Sequence, residues 1–146
     1  MENNTRYAKL ATCNLDQFAL DFANNKARII ASVVEAKKIG CTIRLGPELE
    51  ITGYSCEDHF LEIDTVNHSW EVLSELLSLP ITDDILCVFG MPVIYKDILY
   101  NCSVICLNRE VVLIRPKMCL ADDGNYRESR YFTAWPWNKT ELEVNF

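Results

Sequence analysis

The sequence predicts an α/β domain. Its first 45 residues contain two short apolar runs separated by an amphipathic helical pattern, which is typical of a strand-helix-strand unit. A second helical pattern follows near residue 70, and three apolar runs rich in β-branched residues come after it. The predicted element order is therefore βαβαβββ, in which helices pack on one sheet. The runs are equally consistent with a parallel sheet and with a mixed sheet.

The opening unit consists of two predicted strands and the helix between them. Tyr7–Cys13 (YAKLATC) and Cys41–Leu45 (CTIRL) are apolar runs of strand length. A helix is predicted within Asp21–Lys38, because apolar residues recur there at helical spacing. The residues of this apolar stripe are Ala23, Ala27, Ile30 and Val34.

Both ends of this helix carry residue types that usually terminate helices. The side chain of Asn24 or Asn25 can accept hydrogen bonds from free backbone N–H groups at its start, and Lys37 and Lys38 suit its last turn. Gly40 can adopt the left-handed conformation that often follows a helix. We therefore expect the cap at Asn24 or Asn25 and the helix end shortly before Gly40.

The rest of the chain predicts a second helix and three further strands. The helix covers about Asn67–Leu79 and ends at Pro80. The third strand, Ile85–Phe89 (ILCVF), is almost wholly apolar, as expected of a strand covered on both faces. The last two strands and the hairpin turn between them are predicted at Leu99–Leu107, Asn108–Glu110 and Val111–Ile114.

Composition indicates one globular domain without a nucleic-acid or membrane partner. The chain has 146 residues, 49% of them hydrophobic and 24% charged, with a net charge of -7. This acidic balance offers no basic surface for phosphates or anionic lipids. Met1–Leu15 lacks the apolar run of a secretory signal, and no stretch reaches 18 apolar residues. We therefore expect a cytoplasmic protein, with the aromatic residues of 131–146 in its core or in an interface.

Cysteine spacing predicts buried thiols rather than a metal site. The seven cysteines include no C-x-x-C pair. In a reducing compartment, such cysteines usually pack as small hydrophobic residues. The segment Cys56–His59 (CEDH) places a cysteine near a histidine, but its possible ligands are adjacent rather than at metal-ligand spacing.

Two charged residues follow predicted strand ends and are candidates for chemistry. Glu48 comes after the second strand and Gly46-Pro47, and ligands of open α/β sheets usually bind beyond the carboxyl ends of strands. It is a candidate base, the alternative being a solvated loop carboxylate, whereas Glu50 suits a structural role. Lys117 follows the last strand and can stabilise an oxyanion or remain a surface lysine. Glu128 is an acid that can orient Lys117.

Longer motifs add a resemblance to a known family. The segments LGPELEITGY, SCEDHF and GMPVIYKDILYNCSVICLNREVVLIRPKMCLADDGNYRESRYFTAW resemble the amino-terminal half of the nitrilase-type glutaminase domain of eukaryotic glutamine-dependent NAD synthetases. The resemblance implies a partial α-β-β-α sandwich, about half of that domain. Residues 1–146 are thus expected to form an incomplete carbon-nitrogen hydrolase domain without the synthetase domain.

The resemblance also implies roles for the candidate residues. Glu48 matches the general base, Lys117 matches the lysine that stabilises the tetrahedral intermediate, and Glu128 matches an acid that supports this lysine. Tyr54 and Tyr126 lie beside the matched positions and are candidates for the glutamine pocket. These residue types suit the chemistry, since a protonated thiol needs a base and the resulting oxyanion needs a cation.

One element of the family pattern differs in this chain. The family's nucleophilic cysteine lies well downstream of the lysine, whereas Cys119 is the last cysteine here and matches a variable position. The chain alone is therefore expected to be inactive on glutamine, and whether it is an enzyme by itself stays open.

The function implied by the resemblance is that of a fragment of a glutamine-hydrolysing NAD synthetase. In the full enzyme, this domain releases ammonia from glutamine for the ATP-dependent amidation of nicotinic acid adenine dinucleotide. No cofactor is implied for this segment, ATP is implied for the full enzyme, and the expected partners are glutamine, the synthetase domain and further copies of the enzyme in a homo-oligomer. Two alternatives remain, a short non-catalytic protein acting through a partner subunit and a different nitrilase-type amidase.

Overall fold

A computed structural model describes residues 7–138 and confirms the predicted order of elements. These residues form five strands and two α-helices, together with three short 3-10 turns. The strands and helices are β1 Leu10–Thr12, α1 Phe22–Lys38, β2 Ile43–Leu45, α2 Ile63–Ser78, β3 Leu86–Tyr95, β4 Ile98–Leu107 and β5 Glu110–Pro116.

The five strands form one mixed sheet in the order β1-β2-β3-β4-β5. β1, β2 and β3 are parallel, while β4 is antiparallel to both β3 and β5. β5 therefore runs in the same direction as β2, and the carboxyl ends of these two strands lie at the same edge of the sheet. This edge is where the chain places its candidate catalytic residues.

Helix α1 exists where it was predicted, but the predicted buried face is wrong. Its buried residues are Phe22, Asn25, Ile29, Val33 and Ala36, whereas Ala23, Ala27 and Val34 of the predicted stripe are exposed and Ile30 is half-buried. Apolar residues occur around most of this helix, so that spacing alone does not define one face. The face is defined instead by the neighbouring segments against which the helix packs.

The carboxyl-terminal end of α1 agrees with the prediction, whereas the amino-terminal cap does not. Asp21 caps the start, since its Oδ1 accepts a hydrogen bond from the N–H of Asn24, and the prediction of Asn24 or Asn25 as cap was wrong. At the other end, Gly40 has a φ of 76°, so the predicted left-handed conformation is confirmed. Neither α1 nor any other helix within residues 7–138 is long and apolar enough to cross a membrane.

Both hairpins use two-residue turns. The β3–β4 turn consists of Lys96 and Asp97, and the β4–β5 turn consists of Asn108 and Arg109. All four residues have positive φ values, a backbone twist that matches the right-handed twist of the flanking strands. The predicted three-residue turn is therefore one residue too long, because Glu110 already pairs with Leu107.

The core lies between the sheet and the two helices and contains most of the thiols. Its buried side chains include Ile29, Val33, Leu73, Leu76 and Phe89. Five of the seven cysteines are buried, Cys13 is half-buried and Cys119 is exposed, all as free thiols. Of the carboxy-terminal aromatic residues, Phe132 and Trp135 are buried, Trp137 is exposed, and Phe146 lies outside the described residues.

Candidate active site

Glu48 lies on a tight loop that follows β2 and is hydrogen-bonded to β3 at both of its ends. The loop leaves β2 at Gly46, whose N–H donates to the carbonyl of Val88, and it returns at Ile51, whose N–H donates to the carbonyl of Gly90. Glu48 is therefore held above the sheet edge, with 41% of its side chain exposed.

Close backbone packing constrains the Glu48 loop. Leu49 is fully buried and has a φ of 50°, a left-handed conformation that is unfavourable for a branched side chain. A Cβ atom on Gly90 would lie 2.4 Å from the backbone nitrogen of Leu49 and 2.8 Å from the carbonyl oxygen of Pro47. Only glycine at position 90 lets the loop approach strand β3 so closely.

Three residues that the sequence singled out meet at this edge. Lys117 follows β5, and its Nζ donates a 2.6 Å hydrogen bond to Oε1 of Glu48. The same Nζ lies 2.9 Å from Oε1 and 2.8 Å from Oε2 of Glu128, a carboxylate that is only 4% exposed. The arrangement is one cation between two carboxylates, and we call Glu48, Lys117 and Glu128 the charged cluster.

Asn101 is a fourth member of the site that sequence reasoning missed. Its Nδ2 donates a 2.5 Å hydrogen bond to Oε1 of Glu48, and its backbone carbonyl accepts from the N–H of Lys117 at 2.8 Å. It is 3% exposed on β4, where its neighbours are mostly apolar. A buried amide within an apolar strand was the available sign, because buried polar groups need partners.

The two tyrosines lie on the Glu128 side of the charged cluster. The hydroxyl of Tyr54 donates a 2.7 Å hydrogen bond to Oε1 of Glu128. The ring of Tyr126 meets that of Tyr54 edge-on at 5.9 Å, and the residue is 55% exposed. Their assignment to a glutamine pocket stays a prediction, since Tyr54 binds Glu128 and Tyr126 contacts Tyr54.

The electrostatics around Lys117 and Glu128 favour the ionised form of these two residues. Burial lowers the pKa of the Lys117 ammonium, but its hydrogen bonds to Glu128 and Glu48 outweigh burial and raise that pKa above its usual value. Burial also raises the pKa of Glu128, yet hydrogen bonds from Lys117, the Ala121 N–H and Tyr54 bring it below its usual value. Lys117 therefore remains a cation, and Glu128 remains an anion, at neutral pH.

Glu48 and Lys117 line a cleft of about 290 Å³. The cleft lies at the carboxyl ends of β2 and β5 and against the middle of β3 and β4, and its other lining residues include Gly46, Gly90, Asn101 and Arg115. Both donors to Glu48 bind its Oε1, so within the described part of the chain Oε2 is the oxygen that can take up a proton. The geometry suits a general base that works beside a fixed cation.

The thiol that lines the cleft is not activated. Cys102 lines the cleft, but it is only 3% exposed and burial raises its pKa to about 12. A nucleophilic thiol instead needs a depressed pKa or an adjacent base, together with access to the substrate. Cys102 therefore lacks the properties of a nucleophile for this cleft.

Glu50 occupies the structural position that the sequence indicated. Its side chain is fully buried and forms an ion pair with Arg44, and neither residue lines the cleft. Within residues 7–138, no group of three or more metal-ligating side chains is close enough to hold an ion.

Comparison with known proteins identifies relatives of this chain. The family model of the carbon-nitrogen hydrolases matches residues 9–145. A glutamine-dependent NAD(+) synthetase from Arabidopsis thaliana is 62% identical over 138 residues, which is 94% of this chain and 19% of that protein. The chain therefore spans about a fifth of the length of this curated relative.

Solved structures agree with this sequence similarity. The crystal structure of a glutamine-dependent NAD(+) synthetase from Cytophaga hutchinsonii superposes with a TM-score of 0.88 at 33% identity, over 94% of this chain and 23% of that one. An amidase from Nesterenkonia sp. has a TM-score of 0.75 at 19% identity, over 94% of this chain and 51% of that one, and shares the fold. Neither a different amidase nor a non-catalytic partner protein gains support from these matches.

Proposed function

Because the chain belongs to the carbon-nitrogen hydrolase family, we propose that it forms the amino-terminal part of a glutaminase domain, which hydrolyses glutamine to glutamate and ammonia. The observation that carries this proposal is the charged cluster, in which Lys117 joins Glu48 to Glu128 at the sheet edge. The high sequence identity of this chain to a glutamine-dependent NAD(+) synthetase supports glutamine as the amide substrate.

In the proposed reaction, Glu48 acts as general base and general acid. Its Oε2 accepts the proton of a cysteine thiol as the sulfur attacks the carboxamide carbon of glutamine. The carbonyl oxygen becomes an oxyanion, which the Lys117 ammonium stabilises. Glu48 then protonates the leaving nitrogen, ammonia departs, and water hydrolyses the thioester to release glutamate.

The nucleophilic thiol of this reaction is proposed to lie outside residues 1–146. Cys102 is buried beside the cleft with a raised pKa, and Cys119 is the last cysteine of the chain. The Arabidopsis thaliana relative is about five times as long as this chain, which leaves ample sequence for the thiol. We therefore expect the isolated 146-residue chain to release no ammonia from glutamine.

The ammonia is proposed to serve NAD synthesis. In a longer protein of the relatives' length, an ATP-dependent synthetase domain would use it to amidate nicotinic acid adenine dinucleotide, which makes the whole protein a carbon-nitrogen ligase. The proposal includes a homo-oligomer in the cytoplasm. The seven free thiols support a reducing compartment, and the exposed Val112 and Leu113 on the edge strand β5 support contact with further protein.

Two measurements test this proposal. The transcript should continue beyond codon 146 into a cysteine-bearing segment, and a supported stop codon at that point would overturn the fragment assignment. The longer protein should synthesise NAD from glutamine or from ammonia. Glu48→Gln should abolish the glutamine-dependent reaction and preserve the ammonia-dependent one. Equal loss of both would indicate misfolding, and no loss of either would overturn Glu48 as the base.

A further inference from the structure

A buried ion pair underlies the loop that carries Glu48. Arg44, on β2, and Glu50 are both fully buried. Their contact is bidentate, with Nη1 donating to Oε1 at 2.7 Å and Nη2 donating to Oε2 at 2.8 Å. Arg44 also donates through Nε and Nη2 to the hydroxyl of Ser32, at 3.1 and 2.7 Å. The pair therefore connects the loop to both β2 and helix α1.

The pair closes the chain around Glu48. Arg44 precedes Glu48 by four residues and Glu50 follows it by two, so the salt bridge joins the two ends of a seven-residue segment. Gly46 lies against the pair, since a Cβ atom there would stand 1.9 Å from Oε1 of Glu50 and 2.5 Å from Nη1 of Arg44. One salt bridge, which packs against Gly46, thus holds the two ends of the loop together.

We infer that Arg44 and Glu50 are positioning residues for the proposed base, which hold the Glu48 loop so that its carboxylate faces Lys117 and the cleft. Neither residue lines the cleft, so they act through the loop rather than on substrate. A shift of about 1 Å in a catalytic group can cost about 100-fold in rate. This inference rests on the proposed glutaminase function.

Fold stability alone is a weak explanation for such a pair. Taking both charges out of water is unfavourable, and replacement of a buried ion pair by apolar residues of similar size is often neutral or stabilising. A bidentate arginine contact does, however, fix the distance and the angle between two segments. A positioning role therefore predicts that replacement of the pair lowers glutaminase activity while the stability of the protein stays nearly unchanged.

The test replaces the pair in the longer, NAD-synthesising protein. The double variant Arg44→Met/Glu50→Leu removes both charges and keeps similar side-chain volumes. The hydroxyl of Ser32 still donates to the carbonyl of Ile29 at 2.7 Å, so it keeps a partner. We expect kcat for glutamine hydrolysis to fall about 10- to 100-fold with KM nearly unchanged, because the loss concerns the reacting geometry.

Two further readouts separate positioning from general damage. Ammonia-dependent synthesis and the melting temperature should stay close to those of the parent. Hydrogen exchange at the amides of Gly46 and Ile51, which bond to β3, should become faster. The matched control is Lys26→Ala/Glu75→Ala, which removes an ion pair between the two helices and should leave kcat for glutamine unchanged.

The outcomes distinguish this inference from the proposed function. An active parent with an inactive Glu48→Gln variant and an unchanged kcat in the double variant would overturn the inference alone. A parent protein that releases no ammonia from glutamine would overturn the proposed function itself, whereas a Glu48→Gln variant with full glutaminase activity would overturn Glu48 as the base. Where the double variant fails to fold, Arg44→Lys decides, because lysine keeps the charge without the bidentate contact. Parental kcat in a folded Arg44→Lys variant would overturn the inference.

Discussion

The ammonium group of Lys117 donates a 2.6 Å hydrogen bond to Oε1 of Glu48, although the two residues lie 69 positions apart in the sequence. They meet because Glu48 follows β2, Lys117 follows β5, and these two strands run in the same direction within the sheet. The contact joins the proposed base to the proposed oxyanion-stabilising cation. Substitution of either side chain should therefore affect the other.

Removal of the Glu48 carboxylate should abolish glutamine hydrolysis. Glu48→Gln keeps the size of the side chain but cannot take up the thiol proton, so kcat should fall by about 100- to 10,000-fold in the longer protein. Ammonia release from glutamine is the measurement. The control is Glu35→Gln, at an exposed carboxylate on α1. Equal losses in both variants would contradict a specific role for Glu48.

Removal of the Lys117 charge should slow the formation of the tetrahedral intermediate. Lys117→Met keeps a side chain of similar length but offers no cation to the oxyanion, so kcat should fall by about 100- to 1,000-fold. Burst kinetics with glutamine measure the acylation step. Lys38→Met, at an exposed lysine on α1, should behave like the parent. An unchanged acylation rate in Lys117→Met would exclude Lys117 as the stabilising group.

Asn101 should orient Glu48 together with Lys117, because both residues donate to the same carboxylate oxygen. Asn101→Leu removes the hydrogen bond to Oε1 of Glu48, and loss of a hydrogen bond to a charged group should lower the free energy of unfolding by about 2 kcal/mol. Denaturant titration measures this change, and kcat for glutamine should fall with it. Asn67→Leu, at an exposed position on α2 that does not line the cleft, is the control. Parental kcat in Asn101→Leu would mean that Lys117 alone holds Glu48.

The charged cluster should make stability depend on pH at both extremes. Since the pKa of Glu128 is lowered in the folded state, its contribution is present above the unfolded pKa of about 4.3 and is lost as the pH falls through the folded pKa. Since the pKa of Lys117 is raised, its contribution is present below about 10.4 and is lost as the pH rises through the folded pKa.

The variant Glu128→Gln tests the acid side of this dependence. It should be about 2 kcal/mol less stable than the parent at pH 7, because a buried partner of Lys117 loses its charge. This difference should shrink as the pH falls below the unfolded pKa of about 4.3 and through the lowered folded pKa, since the parent carboxylate then becomes protonated as well. Denaturant titrations of both proteins from pH 7 to pH 3 measure it. A difference that stays constant with pH would show that Glu128 acts through packing alone.

Gly90 should be intolerant of any side chain. Gly90→Ala places a Cβ atom 2.4 Å from the backbone of Leu49, so the Glu48 loop must move and stability should fall by about 3 kcal/mol or more. At Gly124, where φ is 62° and the space is open, alanine should cost only about 1 kcal/mol. Thermal unfolding compares the two variants. Equal losses would mean that the loop adapts freely to β3.

Local patterns in the sequence are sufficient for the order of elements, but not for all of their details. Strand and helix periodicity predicted β1 to β5 and both helices, because each pattern depends on neighbouring residues. The buried face of α1 was predicted wrongly. That face includes Asn25, whose amide donates to the carbonyls of Phe18 and Ile51, and these partners lie on other segments of the chain.

The candidate site shows the same division. Position after a strand, together with resemblance to a family, singled out Glu48, Lys117 and Glu128 from the sequence, since residue type and neighbouring motifs are local properties. Their meeting around one ammonium group, the part of Asn101 and the choice of a mixed sheet were decided only by the tertiary structure. The physical reason is that strand direction and register bring together residues whose distance along the chain contains no information about their distance in space.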